Sequence, residues 1–290
     1  MRRAPIIVSA ISVTLALALL LVLGIVAANR DRLGIGDPIP AASGAAASDV
    51  LRPRTGEDPE WGSTAIYDVL DDGSLSPAAS GLAAEVWATF ERVATPAFAA
   101  EVILSYTVGD SVDADLLAYV QQDSERPEYW HLAVNLAGAT DMSYLLTTLV
   151  HEYAHLLTLN RDQTPPDATC EVVAPSEGCW ADDAYLRAFW DEFWSGYGDR
   201  APAIATDDLA LRESFYAQHE EDFVSSYAAK NVEEDIAESF MAYVVEPVPG
   251  PPRTRVAAKL AFFDRYPELA AIRERIRAEF GDLLRPVWDP

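Results

Sequence analysis

Two histidines stand four residues apart in the segment His151-Glu152-Tyr153-Ala154-His155. In an α-helix that spacing places both imidazoles on one face, where they can bind a single zinc ion. The glutamate between them can then take a proton from a water molecule bound to the same ion, as hydrolysis requires. The pattern therefore predicts a zinc-dependent hydrolytic centre with His151 and His155 as ligands and Glu152 as the general base.

The helix that must position these side chains is unusually apolar. Asp141 is expected to cap its N-terminus and Asn160 to end it, with leucines over most of its circumference between them. A helix of this kind is buried, and burying two histidines and a glutamate is costly unless they have partners. A metal ion is one solution; a core helix with two hydrogen-bonded histidines is the alternative.

A catalytic zinc ion usually has three protein ligands, so one more ligand is required. In one common extension of the motif, glycine and histidine follow at positions that Thr158 and Arg161 occupy here, which excludes it. A later predicted helix, 231–245, carries Glu234 and Glu238 four residues apart on one face. One of the two could bind the metal while the other accepts the free ring N–H of a ligand histidine.

A purely structural interpretation of the acidic helix start competes with this one. Acidic residues are favoured in the first turn of a helix by the helix dipole, whatever their function. Other side chains could also supply the third ligand if Glu234 does not. These reserve candidates are Glu233, Asp235, Glu220, Glu221 and His219, the last of which is expected at the surface.

The two motifs together resemble those of the gluzincin metallopeptidases. The closer likeness is to the anthrax lethal factor type and to a group of bacterial zinc-binding metallopeptidases. It covers roughly residues 130–245, through short motifs rather than continuous similarity. The resemblance implies that Glu234 is the third ligand, that Glu238 supports a histidine, and that Tyr227, seven residues before Glu234, stabilises the transition state.

The activity implied by the resemblance is hydrolysis of a peptide or protein substrate with one zinc ion as cofactor. Glu152 would take a proton from water and deliver it to the leaving amine, and Tyr227 would donate a hydrogen bond to the developing oxyanion. The apolar segment 129–136 is predicted to be a strand. In this enzyme type an edge strand at that place binds the extended substrate backbone, so the resemblance implies that role for 129–136. An ordinary core strand is the alternative.

The remaining elements predict an α+β fold of the zincin-like type, in which a small mixed sheet precedes a mostly helical C-terminal half. Strands are expected at 101–108 and 116–122 besides 129–136. An aromatic stripe at helical spacing in 184–194 indicates a helix packed in the core. Further helices are expected at 81–93, 207–218, 254–266 and 267–284.

The N-terminal segment indicates attachment to a membrane. Residues 6–28 form an apolar run long enough to cross a bilayer as a helix, preceded by a short basic N-terminus, 1–5. We expect a single-pass anchor with the following residues outside the cytoplasm. The alternative is cleavage near Ala28, which would release a secreted protein.

Two further segments follow the proposed anchor. Residues 29–62 are rich in alanine, serine, glycine and proline, which is typical of a flexible linker. Residues 63–290 are then expected to form the metallopeptidase domain. Cys170 and Cys179 flank a short loop in it and are predicted to form a disulfide in an exported protein; reduced thiols would be expected if the domain were cytosolic.

The charge of the chain argues against one class of function. The formal net charge is −25, which disfavours binding to nucleic acid. Two alternatives to a peptidase remain open: a membrane-tethered, zinc-containing binding protein without proteolytic activity, and a hydrolase of a non-peptide amide. The retained Glu152 argues against the first, because a structural zinc site does not need it.

Overall fold

The computed structural model describes residues 52–165, 170, 178–206, 208–247 and 252–284. All of them belong to one compact unit, Leu51–Pro290. The segments predicted as the cytoplasmic N-terminus (1–5), the membrane anchor (6–28) and most of the linker (29–62) lie outside these residues. Within the described part of the chain, no helix is both long and apolar enough to cross a membrane.

A mixed sheet forms the N-terminal half of the described chain. In chain order its strands are β1 (Arg54–Asp58), β2 (Gly62–Val69), β3 (Leu75–Ser76), β4 (Ile103–Gly109), β5 (Ala118–Gln122) and β6 (Trp130–Asn135). Within the sheet they follow the order β1-β2-β4-β6-β5, with the short β3 paired to β2. Strands β4 and β6 are parallel, and the other neighbours are antiparallel.

Two expectations about this sheet are wrong. Strand β1 lies within the segment 29–62 that was expected to be linker; it pairs along its whole length with β2 and is mostly exposed. Strand β6 corresponds to the predicted strand 129–136 but is an interior strand, flanked by β4 and β5. The edge of the sheet beside it is therefore β5.

Helices make up most of the chain after β6, as predicted. Two helices, α1 (Gly81–Ala94) and α2 (Pro96–Val102), lie earlier, between β3 and β4. The helices after β6 are α3 (Met142–Leu159), α4 (Tyr185–Phe189), α5 (Leu209–His219), α6 (Val232–Val245), α7 (Arg255–Phe262) and α8 (Pro267–Phe280). The predicted aromatic helix is divided, because α4 continues as a π-helical turn (Trp190–Trp194) and then a 3₁₀ helix (Ser195–Arg200). The coarse prediction of a small mixed sheet followed by a helical half is confirmed.

Helices α3 and α6 pack against each other at the centre of the molecule. Along α3, Leu145, Leu149 and Leu156 are fully buried, and most of the side chains of α6 are buried too. The aromatic residues that follow α4 are also in the core, as expected: Trp194 packs against Phe223. The two helices that carry the predicted ligands are thus held by apolar packing on several sides, which fixes their separation.

Candidate metal centre

Helix α3 presents the two histidines as the sequence predicts. The Asp141 side chain caps its N-terminus by accepting hydrogen bonds from the backbone N–H groups of Ser143 and Tyr144. The helix ends at Leu159, and Asn160 is its C-cap in an extended conformation. The rings of His151 and His155 are inclined to each other at 78°, with their Nε2 atoms 3.0 Å apart. Both side chains are largely buried, with exposed fractions of 10% and 14%.

Helix α6 brings Glu234 to the same point. Asn231 caps this helix, since its side-chain oxygen accepts a hydrogen bond from the backbone N–H of Glu234 at 2.9 Å. This cap places Glu234 in the first turn, and its Oε2 atom lies 3.3 Å from the Nε2 atom of His151 and 3.3 Å from that of His155. The three predicted ligands therefore converge, although Glu234 is far from the histidines in sequence.

The geometry of this group fits a metal ion. A tetrahedral ion with bonds of about 2.0–2.1 Å holds its ligand atoms about 3.3 Å from one another. The three separations here are 3.0, 3.3 and 3.3 Å. Glu234 Oε2 is also buried without a hydrogen-bond partner among the described residues, and such an atom is costly unless a cation sits beside it. His151, His155 and Glu234 could thus hold a metal ion.

Glu238 supports one of the histidines, which is the role that the resemblance implies for it. Its Oε1 atom lies 2.9 Å from His151 Nδ1. Because a carboxylate only accepts hydrogen bonds, Nδ1 is the donor, and Nε2 is left as the atom that faces the metal group. The other oxygen, Oε2, accepts a hydrogen bond from Ser225 Oγ at 2.6 Å.

Ser225 was not singled out from the sequence. Its Oγ donates to Glu238 and also accepts the backbone N–H of Ala228 at 3.0 Å. The serine thereby connects the segment before α6 to the carboxylate that orients His151. Its position in the segment that contains Tyr227 was the available signal, but a serine alone gave no reason to choose it.

Glu152 lies beside the group and is 6% exposed. Its Oε2 atom accepts the backbone N–H of Val120, in strand β5, at 3.0 Å. Burial raises the pKa of Glu152, although the neighbouring His151 and His155 oppose that shift. A buried carboxylate with a raised pKa is suited to accept a proton near neutral pH.

The imidazoles and carboxylates of the group shift one another's pKa values. Burial lowers the pKa of His151, but the carboxylates of Glu234 and Glu238 outweigh burial and raise it from 6.5 to about 10. Burial likewise raises the pKa of Glu234, but the two imidazoles outweigh it and bring that pKa well below 4.5. Without a metal, the protein thus stabilises positive charge on the imidazole of His151.

Tyr227 stands at the mouth of the group. It is 42% exposed, and its ring centroid lies 5.8 Å from that of His151. Burial and the charge of Glu234 raise its pKa above the usual range, so the phenol keeps its proton and can donate a hydrogen bond. Lys230, which sequence reasoning did not select, lies over the Tyr227 ring at 3.9 Å and bonds to Glu234 Oε1 at 3.2 Å.

The reserve candidates are placed elsewhere or are engaged differently. Asp235 is fully buried and forms an ion pair with Lys259 at 2.6 Å. Glu220 and Glu221 are exposed in a 3₁₀ turn, and His219 is half-buried beside the Tyr197 ring. Glu233 is buried and lines a small cavity with the three ligands. Among the described residues, no other set of three ligating side chains converges.

Two cavities open onto the group. The larger, of about 410 Å³, is lined by His151, Glu152 and Tyr227 together with apolar side chains such as Leu116 and Met241. The smaller, of about 190 Å³, lies between the ligands and strand β5. The centre is therefore accessible to a ligand from outside although its polar atoms are buried.

The predicted disulfide is present. Cys170 and Cys179 are bonded, with their Cα atoms 4.8 Å apart. Most of the loop between them lies outside the described residues. The bond joins the segment that follows α3 to the chain that enters α4.

Comparison with known proteins adds no assignment. No protein-family model, no curated protein and no solved structure matches this chain. The function is therefore inferred from the residues and their arrangement.

Proposed function

We propose that this protein is a zinc-dependent peptidase of the gluzincin type, built on a zincin-like α+β domain. The observation that carries the proposal is the convergence of three ligand atoms, His151 Nε2, His155 Nε2 and Glu234 Oε2, next to the buried carboxylate of Glu152. The order of a mixed sheet, the α3 helix with its two histidines, and then the α6 helix with its glutamate supports the fold assignment.

Zinc is the metal that the donor set favours. Two imidazole nitrogens and one carboxylate oxygen in tetrahedral positions are the three-ligand set of catalytic zinc sites, and they leave the fourth position open. When bound, the ion would polarise the scissile carbonyl and lower the pKa of water. His151, His155 and Glu234 would hold it, and Glu238 would orient His151 through its Nδ1–H.

The side chains around the ion would carry the proton transfers. Glu152 accepts a proton from water and later delivers it to the leaving amine, a role that its burial and raised pKa support. Tyr227, protonated and at the mouth of the group, donates a hydrogen bond to the negative charge that develops on the carbonyl oxygen. These roles match those that the sequence motifs imply.

Strand β5 is the element best placed to hold the substrate backbone. It forms one edge of the sheet, and Ala118, Tyr119 and Val120 line the smaller cavity with the ligands. An extended peptide can add to such an edge through backbone hydrogen bonds, with alternate side chains entering pockets. The apolar cavity of about 410 Å³ would then accept one side chain of the peptide.

We also propose that the domain works outside the cytoplasm, tethered by residues 6–28. The Cys170–Cys179 disulfide supports this location, because disulfides persist in oxidising compartments. The anchor itself lies outside the described residues. Extraction of the protein from membranes by detergent, but not by high salt, is the expected behaviour, and release by salt alone would contradict the anchor.

The activity is tested by zinc analysis combined with casein hydrolysis. The wild-type chain should contain about one zinc ion and cleave casein, whereas Glu152→Gln should retain zinc and lose turnover by at least about 100-fold, because it removes the proton acceptor but no ligand. Zinc without turnover, together with no effect of Glu152→Gln on any substrate, would instead indicate a zinc-containing binding protein.

A further inference from the structure

A third cavity shares Tyr227 with the two cavities at the metal group. Its volume is about 340 Å³, and its walls include Tyr227 itself and Lys230, which bonds to the ligand Glu234. Because Tyr227 lines all three cavities, an occupant of this one would lie next to a substrate at the metal group. We call it the cationic cavity, after the two basic side chains in its wall, Arg212 and Lys230.

The basic side chains have hydrogen-bonding capacity to spare. Within the described part of the chain, Arg212 donates a hydrogen bond to the carbonyl of Thr206, and its buried Nε atom has no hydrogen-bond partner there. The ammonium group of Lys230 has three N–H donors. Within the described residues it donates a hydrogen bond to Glu234 Oε1. Its contact with the Tyr227 ring at 3.9 Å fixes its position.

The charge balance of the cavity differs from that of the protein. The chain carries a formal charge of −25, yet among the described residues Arg212 and Lys230 line the cavity with a single acidic side chain, Glu213. If a divalent cation neutralises Glu234, the positive charge of Lys230 is no longer balanced by that carboxylate. The ring of Tyr216 adds an apolar wall beside these charges.

We propose that the cationic cavity is a subsite for a carboxylate group of the substrate. A carboxylate can accept charge-assisted hydrogen bonds from the guanidinium of Arg212 and the ammonium of Lys230, while the carbon atoms that carry it contact Tyr216. This inference rests on the proposed peptidase function and adds its substrate class, a peptide with a carboxylate close to the bond that is cleaved. The carboxylate can come from an Asp or Glu side chain or from the C-terminus of the peptide.

The subsite is tested by binding, so that catalysis is not needed. The full chain carrying Glu152→Gln is loaded with zinc and titrated, by fluorescence anisotropy, with three kinds of labelled octapeptide. The first has only neutral side chains and an amidated C-terminus. The second is amidated and carries a single Glu, which is placed at each position in turn. The third has only neutral side chains and a free C-terminal carboxylate. We expect one of the carboxylate-bearing kinds to bind about tenfold more tightly than the neutral one. Which kind does so identifies the source of the carboxylate.

Substitution of Arg212 provides the decisive control. Arg212→Gln should remove the preference, Arg212→Lys should retain much of it, and Arg54→Gln, on the distant strand β1, should leave it unchanged. Thermal unfolding of the Arg212 variants shows whether they are folded. If the three kinds of peptide bound with equal affinity, whether tightly or weakly, the proposed subsite would be refuted. A preference for a carboxylate that survives in folded Arg212→Gln would refute it too.

The result is separable from the fate of the proposed function. A chain that binds zinc and cleaves casein but shows no carboxylate preference would refute the subsite alone. A chain that shows the preference, lost in Arg212→Gln, but never hydrolyses a peptide would refute the peptidase and retain the subsite.

Discussion

Two neighbouring carboxylates on α6 experience opposite environments. Glu234 faces α3 with one oxygen that lacks a hydrogen-bond partner among the described residues and lies 3.3 Å from each histidine Nε2. Asp235 faces α7, where Lys259 Nζ lies 2.6 Å away and Trp194 Nε1 donates at 2.7 Å. We call these the histidine side and the lysine side of the helix.

The difference distinguishes a candidate ligand-binding site from a structural ion pair. On the lysine side every charge has a partner of opposite sign, and the Lys259 ammonium also donates to the carbonyl of Asp222. On the histidine side three atoms that normally bind a cation point at one another. A fully paired buried group specifies structure, whereas an incompletely paired one is where a ligand belongs.

The largest effect on folding should come from breaking the lysine side. Lys259→Met leaves Asp235 buried without its counter-ion, and we expect the free energy of unfolding to fall by about 3–5 kcal/mol. Urea unfolding followed by circular dichroism measures it. The double variant Lys259→Met/Asp235→Leu should recover most of the loss, because no unpaired charge remains. If the single variant were as stable as the wild type, the pair would have no supporting role.

On the histidine side the same helix should behave in the opposite way. Glu234→Gln removes a direct ligand, so zinc affinity should fall by more than about 100-fold, the upper range for residues that only support ligands. The stability of the metal-free protein should change much less than in Lys259→Met. Competition with a fluorescent zinc chelator gives the affinity. Unchanged zinc binding would direct attention to Glu233, the reserve candidate that lines the small cavity with the ligands.

A smaller effect is expected from the residue that supports a ligand. Glu238→Ala removes the acceptor of the His151 Nδ1–H, and zinc affinity should fall by about 10–100-fold. Ser225→Ala removes only the hydrogen bond to Glu238 and should cost less than that. The same chelator competition ranks the two variants, and a larger loss in Ser225→Ala than in Glu238→Ala would contradict the order of support.

The pH dependence should distinguish the two metal states. The pKa of His151 is raised from 6.5 to about 10, so in the metal-free protein its stabilising contribution is fully present below pH 6.5 and is lost as the pH rises towards 10. The lowered pKa of Glu234 acts at the other end: its contribution is present above pH 4.5 and is lost in more acidic solution. The stability of the metal-free protein should therefore be greatest between pH 4.5 and pH 6.5.

With zinc bound the trend at the histidines reverses. A metal binds the deprotonated imidazole, so zinc binding releases protons and the stabilisation by zinc grows as the pH rises. Thermal unfolding at pH 6 and pH 9, with EDTA and with zinc, measures the difference. A stabilisation by zinc that is larger at pH 6 than at pH 9 would contradict histidine coordination.

Much of the centre could be predicted because its determinants are local. The spacing of His151 and His155, the caps Asp141 and Asn160, and the i,i+4 spacing of Glu234 and Glu238 are each read within one helix. The sequence thus predicts both helices and the faces that carry the ligands. That Glu234 meets the histidines required the resemblance to a known motif pair, because no local pattern reveals packing between distant helices.

The features that sequence reasoning missed depend on contacts between distant segments. Strand order is one: the apolar β6 looked like the substrate edge, but its pairing with both β4 and β5 makes it interior. Strand β1 has no apolar side chain and is mostly exposed, so no alternation of apolar and polar residues marks it as a strand. The pairing of Lys259 with Asp235 joins residues on two helices, and only the folded arrangement shows which acid the lysine meets.

Metal binding by the two histidines is the central claim, and equilibrium dialysis against zinc tests it most directly. The wild-type chain should bind about one zinc ion tightly, His155→Ala should bind none at the same free zinc concentration, and the matched control His219→Ala should bind as the wild type does. Equal zinc binding by His155→Ala and the wild type, or no zinc binding by the wild type, would contradict the account.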